Sequence, residues 1–427
     1  MEFKLMKLKD VCDVIDSLHK TPSYEIKGIP MIRVTDLHDG YFSVPKDSKL
    51  VSEEVFKEFS KKHIPEFNDI LMSRVGTYGL TSIIKTNKKF CLGQNTVIIT
   101  NFSEKILPEY LFYYLISPYG KRIIEKNVSG STQKTIRLES INNFDILIPK
   151  ISDQAKIINV LSKFYKKIEI NNKIIGNLEE QAQAIFKSWF VDFEPFQDGN
   201  FVESEIGMIP EGWEVKKLDK ISKRFNGFSY SSKDISEDSY INMITIKDFN
   251  RNGGMPNDVI KPIVMSDRIK DYHFLKENDL IIACTDLTQK ADIIGGVILY
   301  FPNEKFEKEI FSMDLIKIEP LEYEDTLYLY CYLKNPLFKT FAESATLGTT
   351  VLHLSKKAVD DFKLVYPKKE NIFKFNGIIK PIVYSQRSLI RENKKLEEIR
   401  DSLLPRLMSG EIDLSELDLG GEVLEDE

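Results

Sequence analysis

The sequence predicts two copies of a mixed α/β (α+β) domain in a pseudo-two-fold repeat, joined by two long antiparallel helices that form a coiled-coil spacer. Three observations predict this: an internal repeat, short strand-like runs inside each copy, and a heptad seam closing each copy.

The repeat organises everything else. YLFYYLISPYGK (110–121) lines up with YLYCYLKNPLFK (328–339), and SGSTQKTIRLESINNFDILIPK (129–150) with LGTTVLHLSKKAVDDFKLVYPK (347–368), both at an offset of 218. NLEEQAQAIFKSWF (177–190) keeps that offset against KLEEIRDSLLPRLM (395–408). Nearer the N-terminus, MKLKDV (6–11) matches KKLDKI (216–221) at 210, and IRVTDL (32–37) matches ITIKDF (244–249) at 212. Small loop insertions in the second copy account for the drift.

Within each copy, β-branched runs such as MIRVT, NTVIIT and FDILIP, then INMITI, DLIIA, GGVILYF and MDLIKI, alternate with a helical stretch around 107–126 or 325–343. Short strands plus a helix make a compact α/β-type body. The segments that follow, 151–190 and 371–408, each read as one long helix. In the first, Ile157, Leu161, Phe164, Ile168, Asn171, Ile175, Leu178, Ala182, Ile185 and Trp189 recur at alternating spacings of four and three, a heptad seam with one polar member. The second repeats the spacing with Phe375, Ile379, Ile382, Gln386, Leu389, Asn393, Leu396, Arg400, Leu403 and Leu407. Two such helices of about 40 residues, each about 60 Å long, pair as a coiled coil. A pseudo-two-fold relation requires them to run antiparallel, with the globular bodies at opposite ends. Asn171 and Asn393 are candidates for fixing the register. The expected boundaries are 1–150 and 198–370 for the two bodies, 151–197 and 371–410 for the spacer helices, and 411–427 for an acidic tail.

With 42% hydrophobic and 29% charged residues, the 427-residue chain has an ordinary globular composition. Its net charge of −6 is unevenly spread. The stretch from Gly410 onward carries eight acids and no base, which leaves the first 409 residues at +2, and residues 1–150 hold 22 Lys+Arg against 18 Asp+Glu. A mildly basic body permits nucleic-acid contact without demanding it. Cys12, Cys91, Cys284 and Cys331 form no CxxC pair, so neither a zinc site nor a disulfide framework is indicated. MEFKLMKLKD lacks an apolar signal core and no apolar run is long enough for a membrane span, so a cytoplasmic location without membrane contact is expected.

Catalytic patterns are missing. Asn335-Pro336-Leu337-Phe338 approaches the (N/D)PP(Y/F) tetrad of adenine-N6 methyltransferases, but its repeat counterpart is Ser117-Pro118-Tyr119-Gly120 and no FxGxG-like loop precedes either, so it reads as a helix-ending turn. There is no GxxxxGK[ST] phosphate loop. His19, His38, His63, His273 and His353 show no metal-ligand or triad spacing.

Two polar loops per copy carry the residue types that read base edges. SRVGTYG offers Ser73, Arg74, Thr77 and Tyr78; GSTQKTIR offers Ser131, Thr132, Gln133, Lys134 and Arg137. The second copy offers Thr285, Thr288, Gln289 and Lys290 in CTDLTQK, then Thr349, Thr350, His353 and Lys356 in LGTTVLHLSKK. Gly76, Gly79, Gly130 and Gly348 either allow close approach to phosphate or make ordinary turns.

GSTQKTI, IPKISDQAKIINVL, NLEEQAQAIFKSWFVDFEPF, GMIPEGWEVKKL and RENKKLEEIRDSLLPRLMSGEIDL, in that order on that repeat, resemble the specificity subunit of Type I restriction-modification systems over nearly the whole chain. The resemblance implies a non-catalytic subunit with two target-recognition domains, each reading half of a split double-stranded DNA target. It implies helical spacers that bind two methyltransferase subunits and act as a ruler, with restriction subunits in the full complex. Cofactors are then expected on the partners alone: S-adenosylmethionine, ATP and magnesium. Because the loops of the two copies differ, the target should be asymmetric and bipartite, methylated at adenine N6. Half-site centres about 10 base pairs apart would leave an unread gap of roughly six to eight. Since the family's targets differ, the shared part of GSTQKTI is expected to serve phosphate contact or packing rather than base readout. The second copy departs from the family pattern: GTTVL replaces GSTQK, and Glu370 and Asn371 stand where the first has Asp153 and Gln154.

QAQAIFKSWFVDFEPF remains. Phe186, Trp189, Phe190, Phe193 and Phe196 cannot all enter one seam, so they cover the spacer's end against the neighbouring body or form a docking surface for a partner, together with Leu403, Leu404 and Leu407, and both roles can hold for different rings. A repeat-built scaffold that binds only proteins is the competing function, and it predicts no salt-dependent DNA affinity. A stand-alone methyltransferase would require the isolated chain to bind S-adenosylmethionine.

Overall fold

The computed structural model describes residues 1–130, 133–249, 259–288, 290–303, 305–348, 351–412 and 414. The chain divides into two compact units: Met1–Ile170 with Glu392–Glu427, and Asn171–Arg391. The boundary falls inside the long helices, so each unit holds a body and half of each helix.

In the first unit, Phe3–Lys7 pairs antiparallel with Asp145–Pro149, Phe3 opposite Pro149, closing the body just before the long helix begins. The main sheet runs Asp13–Asp16, Thr96–Thr100, Ile70–Ser73, Thr81–Ile84, Gly40–Phe42. Every residue of its three central strands is buried, which is why those runs, Ser73 and Ser82 apart, are apolar or β-branched instead of alternating. A smaller sheet sets Ile29–Ile32 antiparallel to Lys49–Val51 and parallel to Cys91–Leu92. The second unit repeats the plan. Glu214–Lys217 pairs with Lys363–Tyr366, the sheet runs Ser222–Asn226, Leu315–Pro320, Leu280–Ala283, Val297–Leu299, and Ile241–Ile244 lies parallel to Lys308–Phe311.

Each expected helical stretch is two helices. The chain breaks between Pro108–Ile116 and Pro118–Lys126, and between Thr326–Lys334 and Pro336–Ser344. Proline at the first position of the second helix has no N–H to continue the ladder, and the residue before it becomes the cap: Ser117 accepts from Gly120 N and Asn335 from Leu337 N. The tetrad that approached a methyltransferase motif is thus a capping turn, with Phe338 fully buried. Repeat-related tyrosines lock the first helix of each pair to the closing strand: Tyr110 donates to Leu147 O at 2.6 Å, and Tyr328 donates to Val365 O.

The long helices are Ile151–Phe190 and Lys369–Ser409. No seam position of either is exposed, and Asn171 and Asn393 are both buried. Within the first unit, Arg400 lies over the Tyr165 ring at 4.8 Å and Lys167 pairs with Glu392 at 3.4 Å. Within the second, Gln386 Nε2 donates to Ile175 O at 3.3 Å and the Phe186 ring meets Phe375 edge-on at 6.1 Å. Numbers rise on one helix as they fall on the other, so the pairing is antiparallel. Gln154, fully buried on the first turn, accepts from Leu107 N at 2.8 Å and donates to Lys105 O and Pro149 O at 2.9 Å, tying helix to body.

Candidate nucleic-acid interface

In the first unit, strand Ile70–Ser73 leaves the sheet into a tight turn. Ser73 is buried, and its Oγ donates to Thr77 O at 2.6 Å and accepts from Leu80 N at 2.9 Å. Gly79 adopts φ +74°, where a side chain is disfavoured. The turn is stitched to the second polar loop: Val75 bridges Thr135, Gly76 N donates to Lys134 O at 3.2 Å, and Ile136 N donates to Arg74 O at 3.0 Å. Two loops some 60 residues apart in sequence thus form one surface. It exposes Thr77, Gln133, Lys134 and Arg137, with Tyr78 half-buried. Tyr78 donates to Glu125 at 2.8 Å, and Lys134 Nζ reaches the Tyr78 hydroxyl at 3.4 Å. Ser131 and Thr132 lie outside the described residues.

Ser73 and Arg74 do not belong to the open surface. Arg74 is only 9% exposed; its Nε donates to Ile136 O at 3.0 Å and its Nη1 is ion-paired with Asp16. Held by a carboxylate and a carbonyl inside the body and almost wholly buried, this guanidinium is not presented to a base edge.

The second unit builds the same junction from other side chains. Thr285–Asp286 pairs antiparallel with Leu352–Leu354, placing Thr285 opposite His353, and Leu354 N donates to Cys284 O at 2.8 Å. Thr285, expected as a base reader, is buried, with its hydroxyl 3.3 Å from His353 Nδ1. Asp286, fully buried, accepts from Thr288 N and Oγ1 at 2.9 and 3.0 Å and from Ile293 N at 3.0 Å, and so shapes the loop. Lys290 and His353 are exposed, Thr288 is half-buried, and Lys356 donates to Met313 O at 3.2 Å. Gln289, Thr349 and Thr350 lie outside the described residues. Burial pushes the Cys284 thiol up to about 12 even though Lys356 and Arg224 stand near enough to oppose it.

The aromatic segment is core and not an open docking face. Phe186 and Phe190 are fully buried among Tyr328, Tyr332 and Phe375, while Trp189, Phe193 and Phe196 pack partly buried on the same cluster around Trp213. Leu404 and Leu407 are buried in the first unit's core, with Leu403 packed against it. The apolar surface of so many rings is worth more inside the body than exposed. Among the described residues, no cluster of three His, Cys, Asp or Glu could hold a metal ion, and no helix is long and apolar enough to cross a membrane.

Sequence reasoning missed Asp16 and Asp286. Asp286 had a local signal, the Asp-x-Thr spacing of a side chain that caps its own loop. Asp16 had none, because its partner lies 58 residues away.

The chain is similar to known proteins of one kind. The family model described as Type I restriction modification DNA specificity domain matches residues 1–180 and 210–399. The Type I restriction enzyme MjaIX specificity subunit of Methanocaldococcus jannaschii is 26% identical over 434 residues, covering 97% of this chain and 95% of that protein. The HindI specificity subunit of Haemophilus influenzae is 26% identical over 388 residues, covering 74% and 82% respectively. The crystal structure of a Type-I restriction-modification system S subunit from M. genitalium matches with a TM-score of 0.53 at 17% identity, covering 95% of this chain and 96% of that one, a likeness of fold.

Proposed function

The chain belongs to the Type I restriction modification DNA specificity family, and from that premise we propose that it is a non-catalytic subunit that reads an asymmetric, bipartite DNA target, one half per unit. Its long helices hold two methyltransferase subunits, and restriction subunits join in the full complex. The partners carry S-adenosylmethionine, ATP and magnesium, and adenine N6 methylation or cleavage takes place on them.

One observation carries this reading: each unit stitches two polar loops into a single surface at repeat-equivalent positions, Val75 against Thr135 and Thr285 against His353, yet exposes different side chains there. A shared scaffold with divergent tips is what two readers of different half-sites need. Arg and Lys at the tips supply phosphate attraction, and Gln, Thr and His supply donor and acceptor patterns in the groove.

The test is long-read mapping of modified adenines in cells expressing the chain with its methyltransferase subunit, against cells expressing the methyltransferase alone. A gapped, asymmetric motif appearing only with both is the expected result. A motif without a gap overturns the bipartite reading. Absence of any motif, together with DNA affinity that does not fall with salt, returns the chain to a protein-binding scaffold.

A further inference from the structure

The Arg74–Asp16 ion pair has no equivalent in the second unit. Repeat alignment puts Cys284 in the place of Arg74 and Asn226 in the place of Asp16, although the backbone bonds around the position are kept: Arg74 N to Asn95 O at 2.8 Å and Cys284 N to Asp314 O at 2.9 Å. The second unit instead carries Arg224, which grips Asp360 through Nε at 2.7 Å and Nη2 at 3.0 Å and reaches Asn226 Oδ1 at 2.9 Å. The first unit has Val14 and Asn142 at those two places. Each body therefore has its own guanidinium–carboxylate pair beneath the loops, built from positions the other copy does not use.

From this exchange we infer that Arg74 is a positioning residue for recognition of one half-site: clamped to Asp16 and Ile136, it fixes the pose of the turn at 75–80 relative to the loop at 133–137 without touching DNA. The chemistry supports that role. The residue after Arg74 bridges Thr135 and the next donates to Lys134 O, so movement of the Arg74 backbone moves both loops together. A planar guanidinium bound to a carboxylate and a carbonyl at once sets a direction that a lysine ammonium does not.

This inference rests on the reading of the chain as a DNA-specificity subunit. The experiment uses the complex of chain and methyltransferase, with the wild type, Arg74→Lys, and the milder, isosteric Asp16→Asn. Affinity is measured for duplexes carrying the mapped target and for duplexes with single-base changes in either half. In both variants, discrimination in one half-site is expected to fall about tenfold or more, within the range a single mismatch carries, while the other half keeps wild-type discrimination and the salt slope is unchanged. In a third, charge-removing variant, Arg74→Gln, a slope shallower by about 0.9 would mean that Arg74 neutralises a phosphate directly, and the inference falls. Equal loss across both halves marks general unfolding, and unchanged discrimination marks a residue without a positioning role; either overturns it. If the wild type itself shows no sequence preference, it is the functional reading that falls.

Discussion

Phe190, the last residue of the central helix, stands edge-on to Phe375 with ring centroids 4.9 Å apart, and edge-on to Tyr328 at the same distance. Such geometry sets a ring's positive edge against its neighbour's negative face. Phe190→Ala removes the ring from a fully buried site, and a loss of about 3–5 kcal/mol is expected. The two tryptophans, Trp189 and Trp213, lie in the same cluster, so fluorescence-detected urea unfolding should show the midpoint fall. An unshifted midpoint would mean that this cluster does not stabilise the unit.

Gln154 satisfies three backbone groups from inside the first body. Gln154→Leu keeps the volume but leaves a buried N–H and two carbonyls without that partner, at about 1–3 kcal/mol for each group left unsatisfied. Circular dichroism through a denaturant series should show at least the lower figure.

Gly79 sits at φ +74°, and a Cβ there would meet Ile124 Cγ2 at 2.7 Å. Gly79→Ala should cost about 1–2 kcal/mol for the left-handed backbone alone, with contact strain added, and should weaken DNA binding more than Gly76→Ala, where a Cβ meets nothing within 4 Å. Equal effects of the two changes would remove the packing argument.

Lys134 is exposed beside Tyr78 and 3.9 Å from Glu125. If it meets a phosphate in the complex, Lys134→Gln should lower the slope of log affinity against log salt by about 0.9 with sequence preference kept. A changed preference at constant slope would assign it to a base edge instead.

All four cysteines are buried. Burial raises Cys91 and Cys284 from the ordinary 9.0 up to about 12, and it raises Cys12 and Cys331 as well. The thiolate is the reactive form, so none should react with a thiol reagent at pH 8 until denaturant is added. The linkage has a definite sign: below about pH 9 folded and unfolded thiols are both protonated and stability is whole. Above it the unfolded chain sheds protons that the folded chain keeps, so stability should fall progressively toward pH 12. Stability constant across that range would contradict the burial of these groups.

The repeat, the order of its elements and the two antiparallel helices were legible in the amino-acid sequence, because heptad spacing and strand runs are local patterns that the covalent chain states directly. The side chains free to meet DNA were not. Arg74 and Thr285 carry the right chemistry in the right loops and are nevertheless inside, while Thr77, Gln133 and Lys134 are outside. Exposure depends on partners that only folding brings near: Asp16 and Ile136 stand 58 and 62 residues from Arg74. The aromatic segment turned on the same cause. Its rings suit an interface or a core equally well by composition, and the tertiary structure, by bringing Tyr328 and Phe375 against the end of the helix, made them core.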